Sequence, residues 1–434
     1  MEGPRLVTRA TLVSRGPLDG RVRVPPSKSY THRSVLMASL SNGVSRVENP
    51  LRSRDTIATF EACRAMGAEV VDSGSGLAIT GTEPRAAAKE VNVENSGTTL
   101  RFMTSAFTLP VRGRTVLTGD ASVRTRPMQG LLDALAQLGA KAHSAAGNGC
   151  APIVVGEGGM RGGQAILRGD VSSQFVSSIL ISAPLAREDS HLTVVDAVSR
   201  PYIDATLNLS KLHGIHIKRN RYEGFAIQAA QQYRPADFVV PADFSSAAFV
   251  MAATALVGGR VELLGLGGGL PQADSAILKI LGDLGVRIEL KSDSVMVCAQ
   301  GDRLKGGSFY LGDCPDLLPV LAALALKCEE PLRVYGVAHA RLKETDRLRV
   351  LARELSKLGA RIEESSDGLT VTRPHEFIRS NLDAHGDHRM FMAFALASLL
   401  VHGGVPVIGV ESLDVSYPGF LSDMEQIGVG VALS

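Results

Sequence analysis

The chain has 434 residues, of which 45% are hydrophobic and 21% charged, so it is long enough for two folded domains and too apolar to be disordered. Its 46 basic and 44 acidic residues leave a net charge of only +2, and no Lys/Arg block occurs, which argues against nucleic-acid binding. The five cysteines form no Cys-x-x-Cys pair, which argues against a disulfide framework or a zinc site and favours a reducing, cytoplasmic setting.

The sequence predicts no membrane span and no targeting segment. The N-terminal stretch MEGPRLVTRATLVSRG has neither the basic-then-apolar order of a signal peptide nor the composition of a transit peptide. The most apolar stretch, 391–410, is interrupted by His402, a glycine pair and Pro406. A buried helix followed by a strand is therefore expected there, and no membrane partner.

Six apolar runs, each typical of a helix, begin directly after a cluster of small polar or charged residues. In chain order the clusters are PPSKSYTHR (25–33), ENSGTTLR (94–101), DVSSQF (170–175), ADFSSAAF (242–249), DCPDLLP (313–319) and HGDHRMF (385–391). The first turn of a helix has unpaired N–H groups and a partial positive charge, and both attract anions. Ordinary N-capping explains each cluster singly, but it does not require Lys28, Arg33, Arg101 and Arg389 beside apolar runs. The six starts together predict an anion-binding site.

A second feature recurs: a glycine after an amphipathic helix, followed by a strand. The glycines are Gly67, Gly139, Gly214, Gly285, Gly359 and Gly428, with spacings of 72, 75, 71, 74 and 69 residues. Glycine just beyond a helix adopts the left-handed conformation without strain, so one such residue means little. Six at nearly constant spacing indicate a repeat.

Each repeat is predicted to be a β-α-β-α-β-β unit whose first strand is the one that precedes it in the chain. In the fifth repeat, 315–328 is a uniformly apolar helix, 332–337 a strand and 347–360 an amphipathic helix. ARIEES and GLTVTR then pair as a hairpin across Ser-Asp-Gly. The apolar first helix of each unit must be buried, while the second can lie at the surface.

The sixth repeat lacks its closing strand, and RLVTRATLV near the N-terminus is the expected substitute. The chain would start in the C-terminal domain, cross near residue 20 and cross back near 240. We therefore predict an α/β fold built from α+β repeats, with three units in each of two domains. The domains are 21–240, and 241–434 completed by 1–20, and their two crossings imply a hinge and a cleft that closes on a ligand.

Lys28, Ser29 and Arg33 place two cations and a hydroxyl around one helix start, which is typical of phosphate or carboxylate binding. Two prolines precede them and VLMASL follows, so little room remains for solvent, and binding is favoured over a solvated first turn. The further polar candidates in the first predicted domain are Asn95–Thr99, Arg101, Arg124, Arg126, Ser172, Ser173, Gln174, Ser199, Arg200 and Tyr202.

The most highly charged segment is RLKETDR (341–347), for which an exposed ion-pair network is the ordinary alternative. Lys343 and Arg347 share a helix face, with Glu344 beside them. A lysine near arginines has its charged form disfavoured and becomes a better proton donor. Asp316 begins the fifth buried helix, where the helix dipole favours an ionised carboxylate that can accept a proton.

In this order the motifs resemble those of the EPSP synthase family, the 3-phosphoshikimate 1-carboxyvinyltransferases. The motifs that carry the resemblance, over about 20 to 425, are PPSKSYTHR, NSGTTLRF, TRPM, DVSSQF, SRPYID, CPD, RLKETDRL and GDHRM. The resemblance implies two domains of three units and a reaction in which shikimate 3-phosphate and phosphoenolpyruvate combine with release of inorganic phosphate. It implies no metal and no organic cofactor, and no partners beyond the two substrates. We expect a cytoplasmic monomer.

The resemblance also assigns roles. Asp316 would accept the proton of the shikimate 5-hydroxyl, and Lys343 and Glu344 would handle protons on the other side of the reaction; Asp316 and Lys343 would also contact substrate. The residues implied for shikimate 3-phosphate are Lys28, Ser29, Arg33, Ser172, Ser173 and Ser199, with Arg200 and Tyr202 as further candidates. Those implied for phosphoenolpyruvate are Lys28, Gly97, Arg126, Gln174, Arg347 and Arg389.

Two positions depart from the family pattern, and two alternatives stay open. His339 stands where many members have Asn, and Val415 where members often have Lys. The related transferase that acts on UDP-N-acetylglucosamine typically has a reactive Cys in the loop before Arg-Pro, where this chain reads Asp120-Ala121-Ser122. A non-catalytic repeat scaffold is the second alternative, but it would not need cations beside buried helix starts.

Overall fold

The structure is a computed structural model that describes residues 8–301 and 303–434. The chain divides into two compact units. We call Pro26–Pro241 with Leu270–Gln272 the N-terminal unit; the C-terminal unit comprises the segment that ends at Pro25, Ala242–Gly269 and Ala273–Ser434.

The α-helices of the described residues come in pairs, two to each repeat. They are α1 Lys28–Ser39, α2 Arg54–Met66, α3 Gly97–Ala106, α4 Gln129–Gln137, α5 Ser173–Ser182, α6 Arg200–Leu212, α7 Phe244–Val257, α8 Ala276–Asp283, α9 Leu318–Ala325, α10 Arg347–Ser356, α11 His388–Ser398 and α12 Phe420–Gln426. None of these helices is long and apolar enough to cross a membrane.

The strands of the described residues form six sheets of four strands. They are β1 Arg9–Ser14, β2 Leu18–Arg23, β3 Gly43–Glu48, β4 Glu69–Asp72, β5 Gly76–Gly81, β6 Val91–Asn92, β7 Thr115–Thr118, β8 Ala142–Ser144, β9 Ile153–Val155, β10 Gly163–Arg168, β11 Ser190–Val195, β12 Ile217–Asn220, β13 Gly224–Ile227, β14 Phe238–Val239, β15 Gly259–Leu264, β16 Arg287–Leu290, β17 Ser294–Ala299, β18 Gly307–Tyr310, β19 Leu332–Tyr335, β20 Arg361–Glu364, β21 Leu369–Thr372, β22 Leu382–Asp383, β23 Pro406–Ile408 and β24 Val429–Leu433.

Every sheet repeats one pattern, illustrated by the order β10-β11-β13-β12. The first two strands are parallel and the remaining neighbours are antiparallel; in this sheet α5, the first helix of the unit, joins the parallel pair, and the last two strands form a hairpin. A parallel pair needs a long crossover and a hairpin needs only a tight turn, so the helix–strand order of the sequence leads to this sheet order. The predicted fold of two sets of three β-α-β-α-β-β units is confirmed.

The first helix of each unit is buried, as its uniform apolarity predicts. Every residue of α3, α9 and α11 is buried. In α1, α5 and α7 no residue is exposed, and all but one or two residues of each helix are fully buried. The second helices keep an exposed face; α4, for example, buries only four of its residues. The glycines that follow the second helices all have positive φ, between 74° and 116°, as predicted for helix termini.

The N-terminal strand closes the last sheet. The order there is β22-β23-β1-β24, so β1 takes the position that the fourth strand of the unit has elsewhere. It pairs antiparallel with both β23 and β24. The predicted substitution is therefore confirmed for 9–13 of the segment RLVTRATLV; its residues 5–7 lie outside the described part of the chain.

Two strands differ from the prediction that each unit takes its first strand from the preceding segment. β2 precedes α1 but pairs in parallel over six residues with β15, and β14 precedes α7 but pairs in parallel with β3. At the first crossing, β2 thus completes a sheet of the C-terminal unit before the chain enters the N-terminal unit. At the second crossing, β14 completes a sheet of the N-terminal unit before the chain returns. The predicted boundary at residues 20 and 21 falls inside β2, and the compact N-terminal unit begins at Pro26, where two prolines end the strand.

Candidate functional site

The predicted site residues divide between the two units. Those in the N-terminal unit are Lys28, Ser29, Arg33, Gly97, Arg126, Ser172, Ser173, Gln174 and Ser199, and those in the C-terminal unit are Asp316, Lys343, Glu344, Arg347 and Arg389. We call these sets the N-terminal and C-terminal clusters. Almost all of them lie at or just before the start of a helix.

Arg33 is a buried cation whose partners are neutral. Its side chain is packed at 5.1 Å from the ring centre of Phe102, and the residue is 2% exposed. Its Nε donates to Thr206 Oγ1 at 2.7 Å, and its Nη2 donates to the carbonyl of Tyr202 at 3.1 Å. Burial lowers the pKa of Arg33 to about 10, and the hydrogen-bond partners of its side chain carry no charge to offset the lost solvation. An anion would offset that loss.

Lys28 begins α1 and has a carboxylate partner that the sequence analysis did not identify. Its Nζ lies 3.0 Å from Oδ2 of Asp55, whose side chain is 4% exposed. Asp55 lies in the first turn of α2, capped by Ser53. Only the packing of α1 against α2 brings the two charges together, so no short-range pattern could have predicted the pair.

Gly97 and Arg126 are in direct contact. A Cβ atom on Gly97 would lie 2.5 Å from Arg126 Nη1, so glycine lets the guanidinium approach the backbone at the start of α3. Arg126 Nη2 donates to Asn95 Oδ1 and to Ser122 Oγ, both at 3.1 Å. The structure therefore joins the predicted Asn95–Thr99 segment to Arg126.

Ser172 and Gln174, at the start of α5, are joined to α3 through Arg101. Arg101 Nη1 donates to Gln174 Oε1 at 2.6 Å and lies 3.4 Å from Ser172 Oγ. Gln174 Nε2 donates to Thr98 Oγ1 at 2.8 Å. Arg101 was recognised as a cation beside an apolar run but was not assigned to the site; the structure gives it a role in holding Gln174.

Two further serines of the N-terminal cluster lie at helix starts, Ser199 just before α6 and Ser173 in α5. Ser199 is buried and has φ 52°, a conformation uncommon outside glycine and often found at functional sites. The carbonyl of Tyr202 in the first turn accepts from Arg33. Ser173 is buried in the first turn of α5.

The C-terminal cluster is centred on Arg347, which is 1% exposed. Its Nη1 lies 2.8 Å from Asp316 Oδ1, its Nη2 lies 2.9 Å from Glu344 Oε2, and its Nε lies 2.8 Å from Asp387 Oδ2. The three carboxylates outweigh burial, which by itself would lower the pKa of Arg347, and raise that pKa above its ordinary range. The alternative reading of 341–347, an exposed ion-pair network, therefore does not hold for this arginine.

Asp316 lies in the 3-10 turn Pro315–Leu317 before α9 and contacts three cations. Arg347 is at 2.8 Å, Arg389 Nη2 at 3.2 Å and Lys343 Nζ at 4.0 Å from its carboxylate oxygens. Burial would raise the pKa of Asp316, but Arg389, Lys343 and Arg347 outweigh burial and hold that pKa well below its ordinary value. The predicted ionised state thus results from these cations more than from a helix dipole.

A second carboxylate near this cluster was missed. Asp274 is 1% exposed and hydrogen-bonds to Ser245 in the first turn of α7. Burial, with the negative charge of Asp316 added, raises the pKa of Asp274 to about 7. The segment PQADS around it contains no repeated motif or charge pattern, so the sequence offered no signal for its burial.

A family model described as EPSP synthase (3-phosphoshikimate 1-carboxyvinyltransferase) matches residues 13–424. The chain belongs to the EPSP synthase family. The resemblance inferred from the motifs is thereby confirmed, and EPSP synthases of known structure can be compared with it directly.

Several relatives carry the name 3-phosphoshikimate 1-carboxyvinyltransferase. The protein of Methanocella arvoryzae is 41% identical over 424 residues, which cover 96% of this chain and 99% of the relative. That of Nitrosopumilus maritimus is 40% identical over 422 residues, covering 96% and 98%. The Methanocaldococcus jannaschii protein is 39% identical over 418 residues, covering 95% and 97%.

Solved structures agree in fold. An EPSP synthase from Acinetobacter baumannii has a TM-score of 0.81 at 26% identity, covering 99% of this chain and all of that one. The enolpyruvyl transferase NikO from Streptomyces tendae has a TM-score of 0.79 at 18% identity and covers 99% of both chains, which shows a shared fold.

The two departures from the EPSP synthase pattern are both buried. His339 lies in the 3-10 turn Ala338–Leu342, and Val415 ends the 3-10 turn Val410–Val415. A buried valine cannot supply the ammonium group that members often have at this position.

Proposed function

We propose that this chain transfers the enolpyruvyl group of phosphoenolpyruvate to the 5-hydroxyl of shikimate 3-phosphate, with release of inorganic phosphate, in the shikimate pathway. The observation that carries the proposal is the match in sequence across nearly the whole length of relatives that bear this activity as their name. The site supports it chemically, because both substrates are polyanions and both clusters concentrate cations at buried positions.

The N-terminal cluster is suited to shikimate 3-phosphate. Arg33 is a desolvated guanidinium with neutral partners, so a phosphate or carboxylate gains a full ionic interaction there. Lys28 and Ser29 lie in the first turn of the same helix, where N–H groups add to the attraction. In the proposal the hydroxyl groups of Ser172, Ser173 and Ser199 complete this binding site, with Tyr202 and Arg200 as additional contacts.

Phosphoenolpyruvate would be bound by Gly97, Arg126 and Gln174 with Lys28, and by Arg347 and Arg389. The contact of Gly97 with Arg126 supports this, because a backbone N–H and a guanidinium that lie close together can both donate hydrogen bonds to the same anion. Arg389 is held against Asp316 and lies in the first turn of α11.

The chemistry proposed for the C-terminal cluster is proton transfer. A proton added to the methylene carbon of phosphoenolpyruvate makes the adjacent carbon electrophilic, and the 5-hydroxyl oxygen attacks that carbon while its proton passes to Asp316. The tetrahedral intermediate then loses phosphate and a methyl proton, which restores the double bond. Lys343 and Glu344 supply and remove the protons at the methyl carbon; Arg347, bonded to both Asp316 and Glu344, fixes these two carboxylates.

Phosphate release tests the proposal. Purified protein should release phosphate from phosphoenolpyruvate when shikimate 3-phosphate is present. It should release no phosphate from phosphoenolpyruvate alone, or when UDP-N-acetylglucosamine is the acceptor. Activity with the sugar nucleotide only would assign the chain to the related cell-wall reaction, and no release with either acceptor would leave the scaffold alternative. We further propose a cytoplasmic monomer whose five cysteines are all free thiols, to be checked by light scattering and by thiol titration.

A further inference from the structure

A chain of buried hydrogen bonds joins the first three helices of the N-terminal unit beneath the proposed phosphoenolpyruvate contacts. His32 on α1 lies 2.7 Å from Thr59 Oγ1 on α2, Thr59 lies 2.6 Å from Thr99 Oγ1 on α3, and Thr99 lies 2.6 Å from Ser96 Oγ. All four residues are at most 2% exposed. We call them the buried relay.

The direction of these hydrogen bonds follows from His32. Its Nε2 is buried and has no hydrogen-bond partner in the described part of the chain. Because an unpaired buried N–H is rarer than an unpaired acceptor, the proton belongs on Nδ1, which donates to Thr59. The hydroxyl of Thr59 then donates to Thr99, and that of Thr99 to Ser96. Burial, with Lys28 and Arg33 nearby, holds the pKa of His32 well below its ordinary value, so the relay stays uncharged.

The relay ends at the residues proposed to bind phosphoenolpyruvate. Ser96 is the N-cap of α3 and accepts from the N–H of Thr99 at 3.2 Å; the residue that follows it is Gly97. At its other end, His32 lies one turn beyond Lys28 on α1. Asp55 lies beside both ends: its carboxylate accepts from Lys28, and its carbonyl oxygen lies 3.4 Å from Thr99 Oγ1, a packing contact because the one proton of that hydroxyl goes to Ser96.

We infer that the buried relay positions the start of α3, with Gly97, against Lys28 on α1, and that it thereby sets the affinity for phosphoenolpyruvate. The inference rests on the proposed function. The relay residues are positioning residues, since they act through the backbone at Gly97 and through the ammonium of Lys28. Helix packing alone would fix the two helices loosely, whereas a chain of three directional hydrogen bonds fixes the rotation of α3 about its axis.

Replacing Thr59 by valine tests this, because valine keeps the shape and removes the hydroxyl that both His32 and Thr99 use. Losing the hydrogen bonds on both sides of Thr59 should raise KM for phosphoenolpyruvate by about tenfold, because the start of α3 is then less well positioned. The binding constant for shikimate 3-phosphate, measured by calorimetry, should change less than KM for phosphoenolpyruvate, because the relay reaches that site only through Lys28, which Asp55 still holds. Thr59→Ser keeps the hydroxyl and should retain the wild-type KM.

Thr104→Val is the matched control. Thr104 is a buried threonine on α3 whose hydroxyl donates only to the Leu100 carbonyl of its own helix, at 2.7 Å. It should leave KM for phosphoenolpyruvate unchanged and lower thermal stability less than Thr59→Val does, because it removes one hydrogen bond within a helix rather than two between helices. If Thr59→Val does not fold, Thr59→Ala takes its place with the same readouts.

The inference is overturned if a folded Thr59 variant has KM for phosphoenolpyruvate within twofold of wild type, or if both substrates lose affinity equally. Wild-type protein is assayed first. If the wild type releases no phosphate, the proposed function is refuted. If the wild type is active and the Thr59 variant has an unchanged KM for phosphoenolpyruvate, only the positioning role is refuted.

Discussion

Replacing Arg347 by methionine should leave three carboxylates of the C-terminal unit without this cationic partner. Arg347 is 1% exposed and bonds to Asp316, Glu344 and Asp387, and the side chain of Asp387 is fully buried. Methionine fills most of the same space, so the main effect is electrostatic rather than a cavity. Asp387 cannot move to water because it also caps α11, accepting from the N–H of Arg389 at 2.9 Å.

The expected loss in free energy of unfolding is about 3–5 kcal/mol, the usual cost of removing one partner from a buried ion pair. Arg349→Met is the control, because Arg349 lies two residues along the same helix and is exposed. Its replacement should change the free energy of unfolding by no more than about 0.5 kcal/mol.

The destabilisation should also depend on pH. The pKa of Asp316 is held below its ordinary value in the folded protein, so its ionic contacts stabilise the protein above the unfolded pKa of about 3.9 and this contribution is lost as the pH falls further. Without Arg347 much of this contribution is already missing. The difference between wild type and variant should therefore be largest above about pH 5 and shrink as the pH falls below about 4.

Urea unfolding of wild type, Arg347→Met and Arg349→Met at about pH 7 and at about pH 3, on either side of the ordinary carboxylate pKa, measures both effects. A loss below about 1 kcal/mol, or an equal loss at the two pH values, would refute the reasoning that Arg347 neutralises buried carboxylates.

Three further substitutions separate the proposed roles. Asp316→Asn should lower kcat by about 10²–10⁴-fold, because it removes the proton acceptor, while calorimetry should show shikimate 3-phosphate affinity within a few fold of wild type; an equal loss in affinity would assign it to binding instead. Gly97→Ala places a Cβ 2.5 Å from Arg126 Nη1, so the guanidinium must move and KM for phosphoenolpyruvate should rise about tenfold with little change in melting temperature; an unchanged KM would remove Gly97 from that site. Arg33→Met strands no carboxylate, so it should weaken shikimate 3-phosphate binding at least about 100-fold yet destabilise the protein far less than Arg347→Met; unaltered binding by calorimetry would contradict the assignment.

Local signals in the chain are strong because each repeat encodes its own helices and turns. Positive φ at Gly67 and Gly428 follows from the preference for glycine directly after a helix. The burial of α11 follows from its unbroken apolar sequence. The cations at the helix starts were also visible, since a charge beside an apolar run has a cost that only a ligand or a buried partner offsets. For Lys28, Arg33 and Arg389 the sequence thus indicated the position and the kind of chemistry.

The partners of those cations were not visible. Asp55 lies 27 residues from Lys28, and Asp387 lies 40 residues from Arg347. Nothing in either spacing singles out one acidic residue among the 44 of the chain. Asp274 was missed for the same reason.

The sequence by itself therefore determined the repeat, the buried helices, the family and the cationic character of the candidate site, because periodicity, turn residues and motifs are local properties. Only the tertiary structure decided which sheet received β2 and β14, which carboxylates surround Arg347, and that His32, Thr59 and Thr99 meet. The pairing of strand edges and of buried polar groups depends on which groups the packing of the helices brings together. The separation of two residues in the sequence does not predict that pairing.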